Sequence, residues 1–168
     1  MGLHRLWYTG GRWAYASALL DGFSDYIFVT IDLADPLRPQ LVGRWWLPGM
    51  HTAAGESPDW DAARWRYGLH HAIVDGDTAY ASWRDGGLTL LDVSDRSAPQ
   101  LISARNCSDP FGGGTHTALP LPERDLLRLA ADTRLACAAL APDRLFTLET
   151  KHTHELILLK YTLMLVGR

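Results

Sequence analysis

The sequence predicts an all-β protein assembled from repeated four-stranded antiparallel sheets, and three observations carry the prediction. The chain repeats itself: Gly2-Leu3-His4, followed by Ala14-Tyr15-Ala16-Ser17, returns as Gly68-Leu69-His70, followed by Ala79-Tyr80-Ala81-Ser82. A second pair of segments, Asp32 to Val42 and Asp92 to Ile102, keeps one constant offset, with Asp, Asp and Pro-Gln-Leu at matching places. Within a unit, short β-prone runs alternate with turn signals. Repeats of about 40–50 residues have the length of one blade of a β-propeller. The expected architecture is a partial β-propeller of four-stranded antiparallel blades, followed by an irregular or partly helical C-terminal tail.

Each element has a local reason. Ala72-Ile73-Val74 is an apolar run ended by the turn Asp75-Gly76-Asp77, and Thr78 to Trp83 continues it as a hairpin. Arg84-Asp85-Gly86-Gly87 turns the chain before Leu88 to Val93, and Gln100 to Ala104 supplies the fourth run after Pro99. Between the third and fourth runs, Asp92, Ser94 and Asp95 can bond nearby backbone N–H groups, and Pro99 cannot donate to a ladder. The units so read are 2–49 and 68–113, with an inserted loop at 50–67 and a third start, Gly114-Thr115-His116-Thr117, running over 114–127. Residues 128–168 match nothing earlier, and the Ala, Leu and Arg content of 128–140 favours a helix that Pro142 ends. Two units and a start fall short of the about 4–8 blades that close a ring. The chain is therefore expected to be a fragment or truncated form of a longer protein, to expose strand edges, and to self-associate or need the missing blades.

Leu88 to Pro99 and Phe28 to Pro39 share a pattern: an apolar strand, then Asp-Val-Ser-Asp or Asp-Leu-Ala-Asp, then a Pro before the next strand. In this the sequence resembles the LVIVD repeat family over roughly residues 2–127. The resemblance implies a β-propeller of four-stranded antiparallel blades, and it implies architecture more than chemistry.

Composition narrows the partners. Sixteen basic against nineteen acidic residues give a net charge of -3 without long runs, which speaks against nucleic acid and anionic membranes. The longest apolar stretch, Leu156 to Val166, is interrupted by Lys160 and is shorter than the roughly 20 residues of a membrane span. No apolar signal region follows Met1, so a cytoplasmic chain starting there is expected. Cys107 and Cys137 form no CxxC pair and are expected as free thiols. Phe111-Gly112-Gly113-Gly114-Thr115 lacks the ending of a phosphate loop and the spacing of a dinucleotide fingerprint, and no Gly-x-Ser-x-Gly elbow is present.

Histidine is the remaining reactive side chain. His4, His70 and His116 hold the same repeat position at the start of a blade's first strand, and equivalent positions on successive blades lie side by side around a propeller channel. Convergent neutral imidazoles suit a divalent transition metal, the one cofactor the sequence brings into view. The competing reading is that the position repeats for packing reasons. His70 and His71 are adjacent and point to opposite sides of a strand, and the repeat selects His70. His152-Thr153-His154 has the spacing that puts two imidazoles on one side of a strand, but it lies in the unmatched tail. The inserted loop combines His51, Glu56, Asp59, Trp60, Asp61, Trp65 and Tyr67, as a ligand lid or a cap on the propeller end would, and Glu56 is its acid/base candidate. Two functions follow: a non-catalytic scaffold for a protein or small-molecule ligand, or a metal-dependent enzyme with histidines converging on the channel.

Overall fold

Turn residues divide the chain where the sequence places them. The structure, a computed structural model, describes residues 2–106, 114–124, 126–131, 145–150 and 157–159. Strands β1 (Gly2–Trp7), β2 (Trp13–Leu19), β3 (Ile27–Asp32) and β4 (Gln40–Trp45) form an antiparallel meander in chain order. Strands β5 (His71–Asp75), β6 (Thr78–Ser82), β7 (Leu88–Asp92) and β8 (Gln100–Arg105) form a second. Gly76 (φ 56°) and Gly87 (φ 82°) take the left-handed backbone that the β5–β6 and β6–β7 turns require.

The two meanders repeat in detail. Each third–fourth strand ladder slips by one residue, between Thr30 and Ile31 in the first and between Leu90 and Leu91 in the second. Asp32 Oδ1 accepts the Ala34 N–H and Asp92 Oδ1 accepts the Ser94 N–H, both at 2.8 Å. Asp35 and Asp95 do the same for Leu37 and Ser97. The aspartates thus close the turn by side-chain-to-backbone bonds, as their spacing predicts.

β2, β3, β6 and β7 are buried along most of their length, and their apolar side chains fill the space between the sheets. Ile27, Phe28, Val29, Ala79, Ala81, Trp83 and Leu91 are fully buried in one cluster. Trp45 meets Trp83 edge-on at 5.4 Å between centroids. Gly43 passes against the second sheet so closely that a Cβ there would overlap the Arg96 carbonyl oxygen and lie 3.2 Å from Pro99 Cδ.

The third sheet corrects two expectations. Strands β9 (Thr115–Leu121) and β10 (Leu126–Ala131) pair antiparallel, but β10 pairs in parallel with β11 (Leu145–Thr150), which then pairs antiparallel with β12 (Ile157–Leu159). No tight-turn signal follows β10, and a parallel partner requires a connection of about a dozen residues or more, which the chain supplies between Ala131 and Leu145. Arg128 to Ala131 is strand rather than helix. Leu127 and Leu129 alternate inward to meet Ala118, Tyr80 and Leu88, and pairing with β9 overrides the helix preference of these residues. The described parts of the tail, β11 and β12, are likewise strand. Residues 132–144, Cys107, Cys137, Gly112, Gly113, His152 and His154 lie outside the described residues.

β5 packs against β1 and β2 on one side and against β9 on the other. The first strands of the three sheets therefore lie next to one another, as the inner strands of propeller blades do. β8 is an outer strand, exposed along its whole length. Among the described residues no helix is long and apolar enough to cross a membrane.

Candidate functional site

Two of the three repeat-position histidines, His4 and His116, sit at a register slip, and His70 stands just ahead of β5. In β1 the register slips between Leu3 and Arg5, leaving His4 as the extra residue opposite Ser17. In β9 Thr117 opposes Ala130 and Thr115 opposes Ala131, leaving His116 as the extra residue. His70 stands in the same place: its N–H donates to the Ser82 carbonyl (2.8 Å), while His71 opposes Ser82. A bulge releases one side chain from the pleat and re-aims it.

The re-aimed rings come together. His4 and His70 stand 4.8 Å apart between centroids, and His70 and His116 stand 3.7 Å apart, so His70 is the middle of a row. His71 turns instead to Trp7 (6.1 Å). His70 is buried, His116 half-buried and His4 exposed. The His70 Nδ1 lies 2.8 Å from the His116 carbonyl oxygen, which can only accept. Nδ1 therefore carries the proton, and Nε2 holds the lone pair of the neutral ring. Burial, then the neighbouring His116 and Arg84, push the His70 pKa down to about 3, so its imidazole is neutral near pH 7. Burial, then Arg84, Arg5 and Arg66, lower His4 as well. As the rings are placed, no three His, Cys, Asp or Glu side chains among the described residues are grouped to hold one ion.

Beside the row is an open cleft of about 320 Å³ whose walls include Trp60, Trp65, Tyr67, Asp25, Arg66 and Asp85. Trp60 stacks on Tyr67 at 4.4 Å, and the Arg64 guanidinium lies over Trp65 at 4.5 Å. Arg66 grips Asp25 with two bonds of 2.6 and 3.0 Å, tying the inserted loop to the first sheet. Burial would raise the Asp25 pKa, but the Arg66 fork and the Tyr26 N–H outweigh it and hold the carboxyl below its usual range. Cleft and row are linked through chain neighbours: Asp25 lines the cleft, and Tyr26, next to it, places its ring 5.4 Å from His4. Gly68 has the same neighbour, since a Cβ there would overlap the Asp25 carboxylate.

The inserted loop is braced by its own side chains. Glu56 accepts the N–H groups of Gly49 (2.9 Å), His51 (3.1 Å) and the Trp46 indole (3.3 Å), and these bonds, the His51 N–H first, keep its carboxyl below the usual range. That arrangement gives Glu56 a structural task and favours its ionised form, which a general acid does not want. His51 stacks on Phe23 at 4.3 Å.

Sequence reasoning missed Asp25, Tyr26, Arg66 and Arg84. Arg84 takes a left-handed backbone (φ 52°) and bonds Thr115 in both directions, N–H to carbonyl, which ties the second sheet to the strand that carries His116. The Arg-Asp-Gly-Gly turn is the one signal that marked this place.

No curated protein and no solved structure matches the chain. Residues 72–106, from within β5 to one residue past β8, match the family model of the LVIVD repeat, so the second sheet is similar to one unit of that repeat, and the match suggests a β-propeller-like repeat protein.

Proposed function

We propose that this chain is a non-catalytic binding module of β-propeller type that takes a small ligand where the histidine row meets the cleft under the inserted loop. The observation that carries the reading is the meeting itself. The repeat bulges and the insertion are unrelated stretches of sequence, yet Asp25–Arg66 and Tyr26–His4 join them at one place. The cleft has the composition of a ligand site, with aromatic walls and a few fixed polar groups held by a rigid scaffold. A second reading, a metal-dependent enzyme, is favoured by the His70 tautomer alone.

Ligand-observed NMR with a fragment set of aromatic acids, aromatic amines and polyols tests the module. Fragments are expected to bind the folded chain and to lose most of their saturation transfer in Trp65→Ala. A folded chain that binds none of them, or binds them equally well after the substitution, overturns the reading.

A further inference from the structure

We infer that the histidine row is a binding site for a divalent transition-metal ion such as Cu(II) or Zn(II), with His70 and His116 as central ligands and His4 as the third. The inference rests on the reading of this end of the sheets as the ligand site and names one ligand for it.

Three independent features of the row point the same way. Histidine recurs at this position in three repeats, together with a glycine two residues before it (Gly2, Gly68, Gly114), while the next residue changes from Arg5 to His71 to Thr117. A requirement of the bulge alone would not select imidazole, because the extra residue of a bulge is defined by its backbone. Next, the His70 Nδ1 donates to a backbone carbonyl at 2.8 Å, the arrangement that orients metal-bound histidines and leaves Nε2 for the ion. His116 has its Nδ1 3.1 Å from the Thr117 hydroxyl, which can accept its proton in the same way. Finally, imidazole nitrogens are ligands of choice for Cu and Zn, whereas Mg and Ca prefer oxygen, and the row presents imidazoles. The rings now lie edge-on (His4 and His70, 75°) and tilted (His70 and His116, 41°) rather than fanned around a common point. Binding requires His4 and His116 to turn about Cα–Cβ toward Nε2 of His70, which keeps its bond to the His116 carbonyl.

The test is titration of tag-free protein with Cu(II) and Zn(II), read by metal analysis after desalting and, for copper, by nitrogen hyperfine structure in the electron paramagnetic resonance spectrum. One equivalent is expected to be retained. Loss of an orienting partner alone costs about 10–100-fold in affinity, so His70→Ala and His116→Ala should each weaken binding more than roughly 100-fold. His4→Ala, at an exposed position, is the variant whose folding is not at stake, and it should weaken binding at least roughly 10-fold with an unchanged circular dichroism spectrum. His71→Ala should retain the metal. No retention by folded protein, or retention that survives all three row substitutions, overturns the inference. If fragments still bind the cleft in that case, the binding-module reading stands and only the metal falls; if neither binds, both fall.

Discussion

Ser17 and Ser82 occupy the same place in successive blades, and the structure predicts opposite consequences for the same substitution. Ser17 Oγ accepts the Arg5 N–H (3.0 Å) and donates to the His70 carbonyl (3.2 Å), joining the first bulge to the second blade. Both serines are fully buried, but Ser82 Oγ has no hydrogen-bond partner among the described residues. Ser17→Ala strands a buried donor and acceptor, which costs about 1–3 kcal/mol. For a chain of this size each kcal/mol lowers Tm by about 2–4 °C, so a drop of about 2–12 °C is expected. Ser82→Ala removes a hydroxyl that gains nothing from burial, and its expected effect lies between no change and a gain of about 1 kcal/mol. Differential scanning calorimetry of the two variants beside the parent chain makes the comparison. Equal losses for both, or no loss for Ser17→Ala, would refute the assignment of the stitch to Ser17.

The remaining predictions concern blade contact and acid stability. Gly43→Ala forces a Cβ into the Arg96 carbonyl, and overpacking of this kind costs about 1–3 kcal/mol; Gly2→Ala, with nothing within 4 Å, should leave the thermal midpoint unchanged. Equal midpoints for the two variants would show that the first and second sheets do not dock through Gly43. The hydrogen bond from Arg12, with the Ala34 N–H helping, holds Asp32 down to about 2 against 3.8 in the unfolded chain. Because the folded value is the lower one, the stabilisation is present above pH 3.8 and is lost as pH falls through about 2. Asp32→Asn should therefore flatten the stability curve in that window, and an acid limb identical to the parent's would rule out the pair as a contributor.

The blade was legible because its determinants are local. Asp75-Gly76-Asp77 and Gly86-Gly87 need only their own backbone to turn, and Asp92 and Asp95 bond N–H groups two residues away. What was not legible depends on pairing between distant segments. The bulges exist only relative to Ser17 and Ala130 on the neighbouring strands, and a slip of one residue leaves no mark in composition. Arg66 finds Asp25 across the insertion, and nothing in the spacing around Glu56 tells that its carboxylate folds back on Gly49 and His51. At Arg128 to Ala131 the residues favour a helix, and the ladder with β9 decides otherwise.

The inequality between the two serines also bears on why the histidines are there. Between the first and second blades the seam is closed by a serine hydroxyl on the His70 carbonyl. Between the second and third the equivalent carbonyl, that of His116, is taken by the His70 ring, while the Ser82 hydroxyl remains without a partner among the described residues. The fold thus has a serine solution to this seam and carries the residue for it in both blades. A packing role accounts for His70, which does the stitching. It does not account for His4, whose exposed ring meets those of Tyr26 and His70 and stitches no neighbouring carbonyl among the described residues. Imidazole at the first position of the row therefore calls for a cause other than the seam, and a shared ligand at the blade axis supplies one.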